Sequence, residues 1–223
     1  MLKVGLTGGI ACGKTNTLRQ FNKLGAFTID ADQIAREVVK PGQPAYREIV
    51  DVFSTEILKR DKTIDRKKLG KVIFSDEAAR QKLNKIIHPR VFEEERRLIS
   101  SHKAQGNNRS PLAIVDAALM VEAGSYRRYD FVIVVYCHPS IQLKRLISRD
   151  GLSEEEALQR IDSQIPMLEK VKYGDYIIEN SSKLSDTNQQ IRQTFAELMN
   201  LYEESTECGW GQILSISFLP VRS

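Results

Sequence analysis

The sequence predicts an α/β fold: a mostly parallel sheet with a helical module inserted into it and a helical hairpin further along. Three observations predict this. Five short apolar runs, at residues 3–7, 26–29, 112–115, 131–136 and 176–178, leave room for crossover segments between them in a chain of 223 residues. The rhythm breaks once, between the second and third runs, where the spacings are helical and no convincing strand occurs. The first run is closed by Gly8 and Gly9 and followed at once by a helical pattern, which reads strand, loop, helix.

Taken in order, residues 14–24 carry Leu18, Phe21 and Leu24 at helical spacing, and the run at 26–29 ends in Asp30. Helices are expected over 44–53, 65–74 and 76–101, with His88-Pro89 ending a helical run inside the module. The Asn- and Ser-rich residues 106–111 read as an exposed loop returning to the sheet. Residues 140–161 form the hairpin, turning at Asp150-Gly151-Leu152-Ser153, with Ser153 and Glu156 spaced as a capping box. A last helix over 185–204 places Ile191, Phe195, Leu198 and Leu201 near one side. The apolar residues 209–220 are open to three readings: a packed tail, an interface or a disordered end.

Composition narrows the class. With 41% hydrophobic and 28% charged residues, the chain falls in the globular range. Its 33 basic residues exceed the 29 acidic ones by only 4, which suits phosphorylated partners and is too little to imply a nucleic-acid protein. The surplus is regional: residues 59–103 hold 14 Lys or Arg against 7 Asp or Glu, and the remainder is slightly acidic. Trp210 lacks the basic and aromatic neighbours of a stacking platform. Cys12, Cys137 and Cys208 are odd in number and far apart, so no disulfide framework or CxxC site is written, and a reducing compartment is expected. No charged leader and no run of about 18 apolar residues occurs, so a cytoplasmic chain with no membrane partner is expected.

The strongest motif is Gly8-Gly9-Ile10-Ala11-Cys12-Gly13-Lys14-Thr15, which fits G-x-x-x-x-G-K-[ST] between a strand and a helix. Its glycines expose backbone N–H groups to a phosphate, the helix start adds a positive end, and Lys14 brings a mobile charge to the β and γ phosphates. Thr15 is the expected Mg²⁺ ligand, and Asn16 lies at the loop's exit. Cys12 sits beside a helix N-terminus, which favours a thiolate, yet no His and acid accompany it.

A phosphate loop serves GTPases, motor ATPases and small-molecule kinases alike, so its surroundings must decide. The guanine-reading N-K-x-D is absent, since Asn22-Lys23-Leu24-Gly25 ends in glycine. Asp30-Ala31-Asp32 falls at the C-terminal edge of the sheet, next to the end of the first strand. One acid there can orient and deprotonate an acceptor hydroxyl, and the other can cap a helix or hold a metal-bound water; two caps are the plain alternative. Asp116 ends the third run and reads either as a Mg²⁺-positioning acid or as a cap, with Glu122 one or two turns on. Arg145, Arg149 and Arg160 give the hairpin basic faces, for a transferring phosphoryl or for pairing with nearby glutamates. His88 reads as a substrate-phosphate contact or a helix-end cap.

Together, LTGGIACGKT at 6–15, IDAD at 29–32, IDRKKL at 64–69, LNKIIHPRV at 83–91, LKRLISRDGLSEEEALQRIDSQ at 143–164 and DYIIENSS at 175–182 resemble the dephospho-CoA kinase family. The resemblance spans roughly residues 3–201. It implies a three-layer α/β/α P-loop kinase fold with a five-stranded mostly parallel sheet. It divides the chain into a nucleotide-binding core at 1–40 and 110–205, a helical acceptor-binding module at 41–105, a lid at 140–165 and a tail at 206–223. It further implies ATP as donor with Mg²⁺, dephospho-CoA as acceptor, and transfer to the ribose 3′-hydroxyl. Asp32 then matches the acid at that hydroxyl, Lys14, Arg145 and Arg149 the transfer machinery, and residues 8–16 the nucleotide loop. Arg66, His88 and Glu122 join Asp32 on the acceptor side, with Thr15 and Asp116 at the metal. Where the family commonly reads DxPLLFE, this chain has Asp116-Ala117-Ala118-Leu119-Met120-Val121-Glu122, which predicts a different pocket wall. Cys12, Asn16 and Ser54 also depart from the family's usual residues. A related small-molecule or nucleotide kinase and a nucleotide-dependent binding switch are the competing readings.

Overall fold

Strands β1 (Leu2–Gly8), β2 (Phe27–Asp30), β3 (Leu112–Asp116), β4 (Phe131–Tyr136) and β5 (Tyr176–Glu179) form one sheet in the order β2-β3-β1-β4-β5. The computed structural model describes residues 1–104, 106 and 110–208, so most of the proposed tail lies outside the described residues. β1 runs parallel to β3, with Leu2 opposite Leu112 and Leu6 opposite Asp116, and parallel to β4; β4 runs parallel to β5. The three central strands are almost wholly buried, which is why they read in the sequence as continuous apolar runs rather than alternations. From β1 the chain moves to one side for β2 and β3, then crosses to the other for β4 and β5. The C-terminal end of β1 is therefore the switch point where open α/β sheets bind ligands.

One expectation is corrected here. The Asp30 end of β2 is not next to β1, because β3 lies between them. The crossover through α1 (Lys14–Lys23) is long enough to skip a position, and the fully buried β3 takes the inner place. The four-residue, partly exposed β2 is left at the edge.

The chain divides into two compact units, one of Met1–Ile29 with residues from Gly106 onward, the other running from Asp30 to the end of the inserted helices. The second unit contains α2 (Ala31–Glu37), α3 (Pro44–Phe53), α4 (Arg66–Ser75) and α5 (Glu77–Ala104), around a core of Ala45, Ile49, Ile57, Leu69, Leu83 and Ile86. Asp65 caps α4, accepting from the Lys67 and Lys68 amides at 2.9 and 3.2 Å. These amide bonds, the one from Lys68 foremost, hold its carboxyl below the ordinary range. His88-Pro89 does not end a helix: α5 continues through Pro89 to Ala104. Ile86 and Val91 bury apolar side chains on either side of the proline, and the Arg90 guanidinium donates to the Ile86 carbonyl at 2.6 Å. Packing on both flanks offsets the backbone bond that proline removes.

Ser54, just after α3, sits at φ 65 and ψ 171, a region nearly reserved for glycine. Its hydroxyl returns part of the cost by accepting from the Glu56 amide at 3.3 Å. Ser54→Gly is expected to stabilise the fold by about 1 kcal/mol net, seen as a rise of roughly 2–4 °C in Tm. An unchanged or lower Tm would show that the hydroxyl cap outweighs the strain.

The first unit is completed by α6 (Pro139–Asp150), α7 (Glu154–Asp162), α8 (Met167–Val171) and α9 (Leu184–Cys208). Proline opens α6, Gly151 in the left-handed conformation closes it, and the Ser153–Glu156 capping box starts α7. Ile191 and Leu198 of α9, with Phe21 of α1, are fully buried in the core shared with Leu2, Leu6, Ile114 and Ile133. No described helix is long and apolar enough to cross a membrane.

Candidate active site

The loop after β1 bends through Ala11 at φ 60 and Gly13 at φ 98, both left-handed, and Gly13 then caps α1. No side chain caps this helix and no acid lies in its first turn. The end of α1 is thus left with donor groups and a positive partial charge and no anion of its own, the arrangement that receives a phosphate. Gly13 is required twice over, by its φ and because a Cβ there would lie 2.1 Å from Asn180 Nδ2.

Lys14 and Asp116 converge at this end of the sheet. Lys14 Nζ stands 3.9 Å from Asp116 Oδ1, a loose contact between side chains only 15% and 12% exposed. Thr15, the next residue of α1, is exposed. A hydroxyl and a carboxylate are hard oxygen donors of the kind Mg²⁺ takes.

The loop is held from outside by residues that sequence reasoning passed over. Asn180, just beyond β5, donates from Nδ2 to the Cys12 carbonyl at 2.8 Å, and its own Oδ1 accepts from Thr187 at 3.0 Å. Gln142 and Gln164 grip the main chain of Ile10. The available signal for Asn180 was its place directly after an apolar strand, at the same sheet edge as the loop. Cys12 is buried beside Cys137, Sγ to Sγ 3.0 Å. The hydrogen bond with Cys137, together with burial, pushes the Cys12 thiol well above the usual range, opposite to the effect expected from the helix end. It is a protonated packing residue at neutral pH.

Arg145 is half-buried and donates to the Asn180 carbonyl at 2.7 Å, which aims α6 at the loop's support. Arg149 is more exposed and grips Asp150 through Nε and Nη2 at 2.7 and 3.0 Å, while Arg160 adds a third bond to Asp150 at 3.0 Å. Two arginines on one acid at the hairpin turn hold the Asp150 carboxyl below the ordinary range, Arg149 contributing most. Their hydrogen-bonded partner is this aspartate, while Arg160 also acts electrostatically on Glu156 in the first turn of α7.

The acid after β3, Glu122, accepts from the Ile165 amide and pairs with Lys170 Nζ at 2.8 Å. Of the substituted residues between Asp116 and Glu122, Met120 and Val121 are buried, and Met120 lies against Gly5, where a Cβ would meet its sulfur at 2.5 Å. Met120 fills the core beneath β1.

In the second unit the two neighbouring acids differ. Asp30 Oδ1 accepts from the Gln33 amide at 2.8 Å and so caps α2. Asp32, in the first turn of that helix, is exposed, and among the described residues no hydrogen bond or ion pair engages its side chain. Arg66 begins α4 and lines a cavity of about 670 Å³ together with Arg36, Lys40, Lys59, Lys67 and Asp65. His88 lies inside α5, half-buried, with its ring 5.8 Å from that of Phe92, so it is not a helix-end cap.

Residues 2–186 match the family model described as dephospho-CoA kinase. A dephospho-CoA kinase of Geobacter metallireducens is 45% identical over 192 residues, 86% of this chain and 94% of that protein. One from Syntrophus aciditrophicus is 41% identical over 199 residues, 89% and 84% of the two chains. Among solved structures, the dephospho-CoA kinase of Campylobacter jejuni aligns with a TM-score of 0.63 at 33% identity, covering 88% of this chain and 96% of that one.

Proposed function

The chain belongs to the dephospho-CoA kinase family, and from that premise we propose that it transfers the γ-phosphoryl group of ATP to the ribose 3′-hydroxyl of dephospho-CoA, giving coenzyme A and ADP. The observation that carries this reading is the extent of the family match: residues 2–186 include the phosphate loop and the whole inserted helical unit. The loop alone would fit many nucleotide-dependent reactions.

ATP is bound through the loop, residues 8–16, with its phosphates at the start of α1 and Lys14 alongside. Mg²⁺ would be held by Thr15 and Asp116, whose oxygen donors suit it, and would neutralise charge on the β and γ phosphates. Arg145 and Arg149 serve the transferring phosphoryl. Asp32 accepts the proton of the 3′-hydroxyl as that oxygen bonds to the γ-phosphorus, and the bond from phosphorus to the ADP oxygen breaks. Support for choosing Asp32 is that its neighbour Asp30 is already occupied as a cap. Arg66, His88 and Glu122 belong to the acceptor side. The basic cavity at Arg66 suits the acceptor's phosphates, since guanidinium and ammonium donors in a recess bind phosphate oxygens strongly. A reducing, cytoplasmic location goes with this reading, with dephospho-CoA rather than a nucleic acid or a membrane as partner.

The test is to incubate the purified protein with ATP, Mg²⁺ and dephospho-CoA and to analyse products by mass spectrometry and phosphorus NMR. One phosphoryl group on the 3′ oxygen, with ADP release that depends on the acceptor, is the expected result. Phosphate on another atom, or equal ADP release without acceptor, would overturn it; a macromolecule captured in one nucleotide state only would favour a switch.

A further inference from the structure

The main chain of Ile10, in the middle of the phosphate loop, is held by the α6–α7 hairpin at both its N–H, in the Gly9–Ile10 peptide, and its carbonyl, in the Ile10–Ala11 peptide. Gln142, in the first turn of α6 and 3% exposed, donates from Nε2 to the Ile10 carbonyl at 3.0 Å. Gln164, two residues beyond α7, accepts from the Ile10 amide through Oε1 at 2.8 Å. Gly9 makes the approach possible, since a Cβ there would stand 2.6 Å from Gln142 Nε2. The hairpin that carries Arg145 and Arg149 is therefore tied to the loop at both its ends.

The Gln164 end has an anchor of its own. The next amide, that of Ile165, donates to Glu122 Oε1 at 3.3 Å, and the same oxygen pairs with Lys170 Nζ at 2.8 Å. Lys170 is fully buried and also donates to the Ala118 carbonyl at 3.1 Å, which takes a second bond from Thr7 Oγ1 at 3.2 Å. A buried lysine is an expensive way to join two segments, because desolvation consumes most of what the pair returns and apolar side chains of similar volume would stabilise as well. What the pair supplies that apolar residues would not is direction: it fixes the backbone from which Gln164 reaches the loop.

We infer that Gln164 is a positioning residue for phosphoryl transfer, orienting the Gly9–Ile10 peptide of the phosphate loop, and that the buried Glu122–Lys170 pair holds Gln164 in place. The inference rests on the proposed kinase reaction for its kinetic consequence. The clamp acts on loop orientation and on the hairpin's arginines together. Its loss therefore falls on the step in which charge redistributes rather than on nucleotide affinity, most of which comes from the α1 terminus and Lys14.

The experiment compares Gln164→Leu and Gln164→Glu with the unaltered protein, reading kcat, KM for ATP, Tm and hydrogen exchange of the Ile10 amide. Gln164→Leu removes the acceptor at similar volume; kcat should fall about tenfold with KM for ATP within about twofold, and Ile10 should exchange faster. Gln164→Glu keeps an acceptor for the amide and should keep kcat within about threefold, with KM for ATP raised by a negative charge near the phosphates. A role confined to stability would lower kcat in both variants in step with Tm, and that result, or unchanged Ile10 exchange in Gln164→Leu, overturns the inference. Glu122→Leu with Lys170→Met removes the anchor without stranding a charge. Read at saturating dephospho-CoA, since Glu122 also stands on the proposed acceptor side, it should hold Tm near that of the unaltered protein while kcat falls and Ile10 exchanges faster; unchanged kcat and Ile10 exchange would overturn the role given to the pair. If the unaltered protein fails to phosphorylate dephospho-CoA, the proposed function fails, and Ile10 exchange still decides whether the clamp exists.

Discussion

Lys14→Ala is expected to lower kcat for phosphoryl transfer by roughly 10²–10³-fold and to weaken ATP binding as well. The geometry gives two reasons for both effects to appear. Lys14 is the charged side chain at an uncapped helix start, so in the proposed reaction it would meet the phosphates in the ground state and again as charge shifts toward the leaving oxygen. It is also a cation next to Asp116, at 3.9 Å, in surroundings where both side chains are mostly buried. Its removal takes a positive charge from beside that carboxylate, where the phosphates are proposed to bind, in a region of reduced screening. ATP titration by calorimetry together with steady-state kinetics checks this. Normal ATP affinity with reduced kcat would limit Lys14 to the transition state, and unchanged kinetics would remove it from the site.

What could be read from the sequence, and what could not, follows the range of the forces involved. The strands were legible because β1, β3 and β4 are buried on both faces, so each is apolar along its whole length. The phosphate loop was legible because eight adjacent residues build it. α8, at five residues, was not legible because it spans under one and a half turns, too short for an apolar periodicity to show, and α2, at seven residues, was signalled only by the capping aspartates at its start. The order β2-β3-β1 could not be read because crossover length permits a skipped strand as readily as a neighbouring one. Lys170 stands in a Glu-Lys-Val-Lys string that looks like a solvated face. Its burial depends on Glu122, 48 positions earlier, and Gln164 lies 154 positions from the amide it accepts. Ser54, by contrast, was visible as a departure in the sequence, and only the backbone angles reveal why glycine would suit the position better.

Asp32→Asn is expected to reduce kcat by roughly 10²–10⁴-fold, the range for loss of a general base, while ATP binding stays within about twofold. Asparagine keeps the size and hydrogen-bonding oxygen of aspartate but cannot take a proton, so the loss reports proton acceptance rather than packing. The fold should tolerate the change, because Asp32 is exposed and the cap of α2 belongs to Asp30. Asp30→Asn is the matched control: its side-chain oxygen can still accept from the Gln33 amide, so α2 keeps its cap, and activity should stay within a few-fold of the unaltered protein. The two substitutions lie two residues apart on one helix start, so a general disturbance of α2 would depress both alike. A large loss confined to Asp32→Asn, with dephospho-CoA still bound, assigns the proton to that carboxylate; near-normal turnover, or equal losses in the pair, would strip Asp32 of the role.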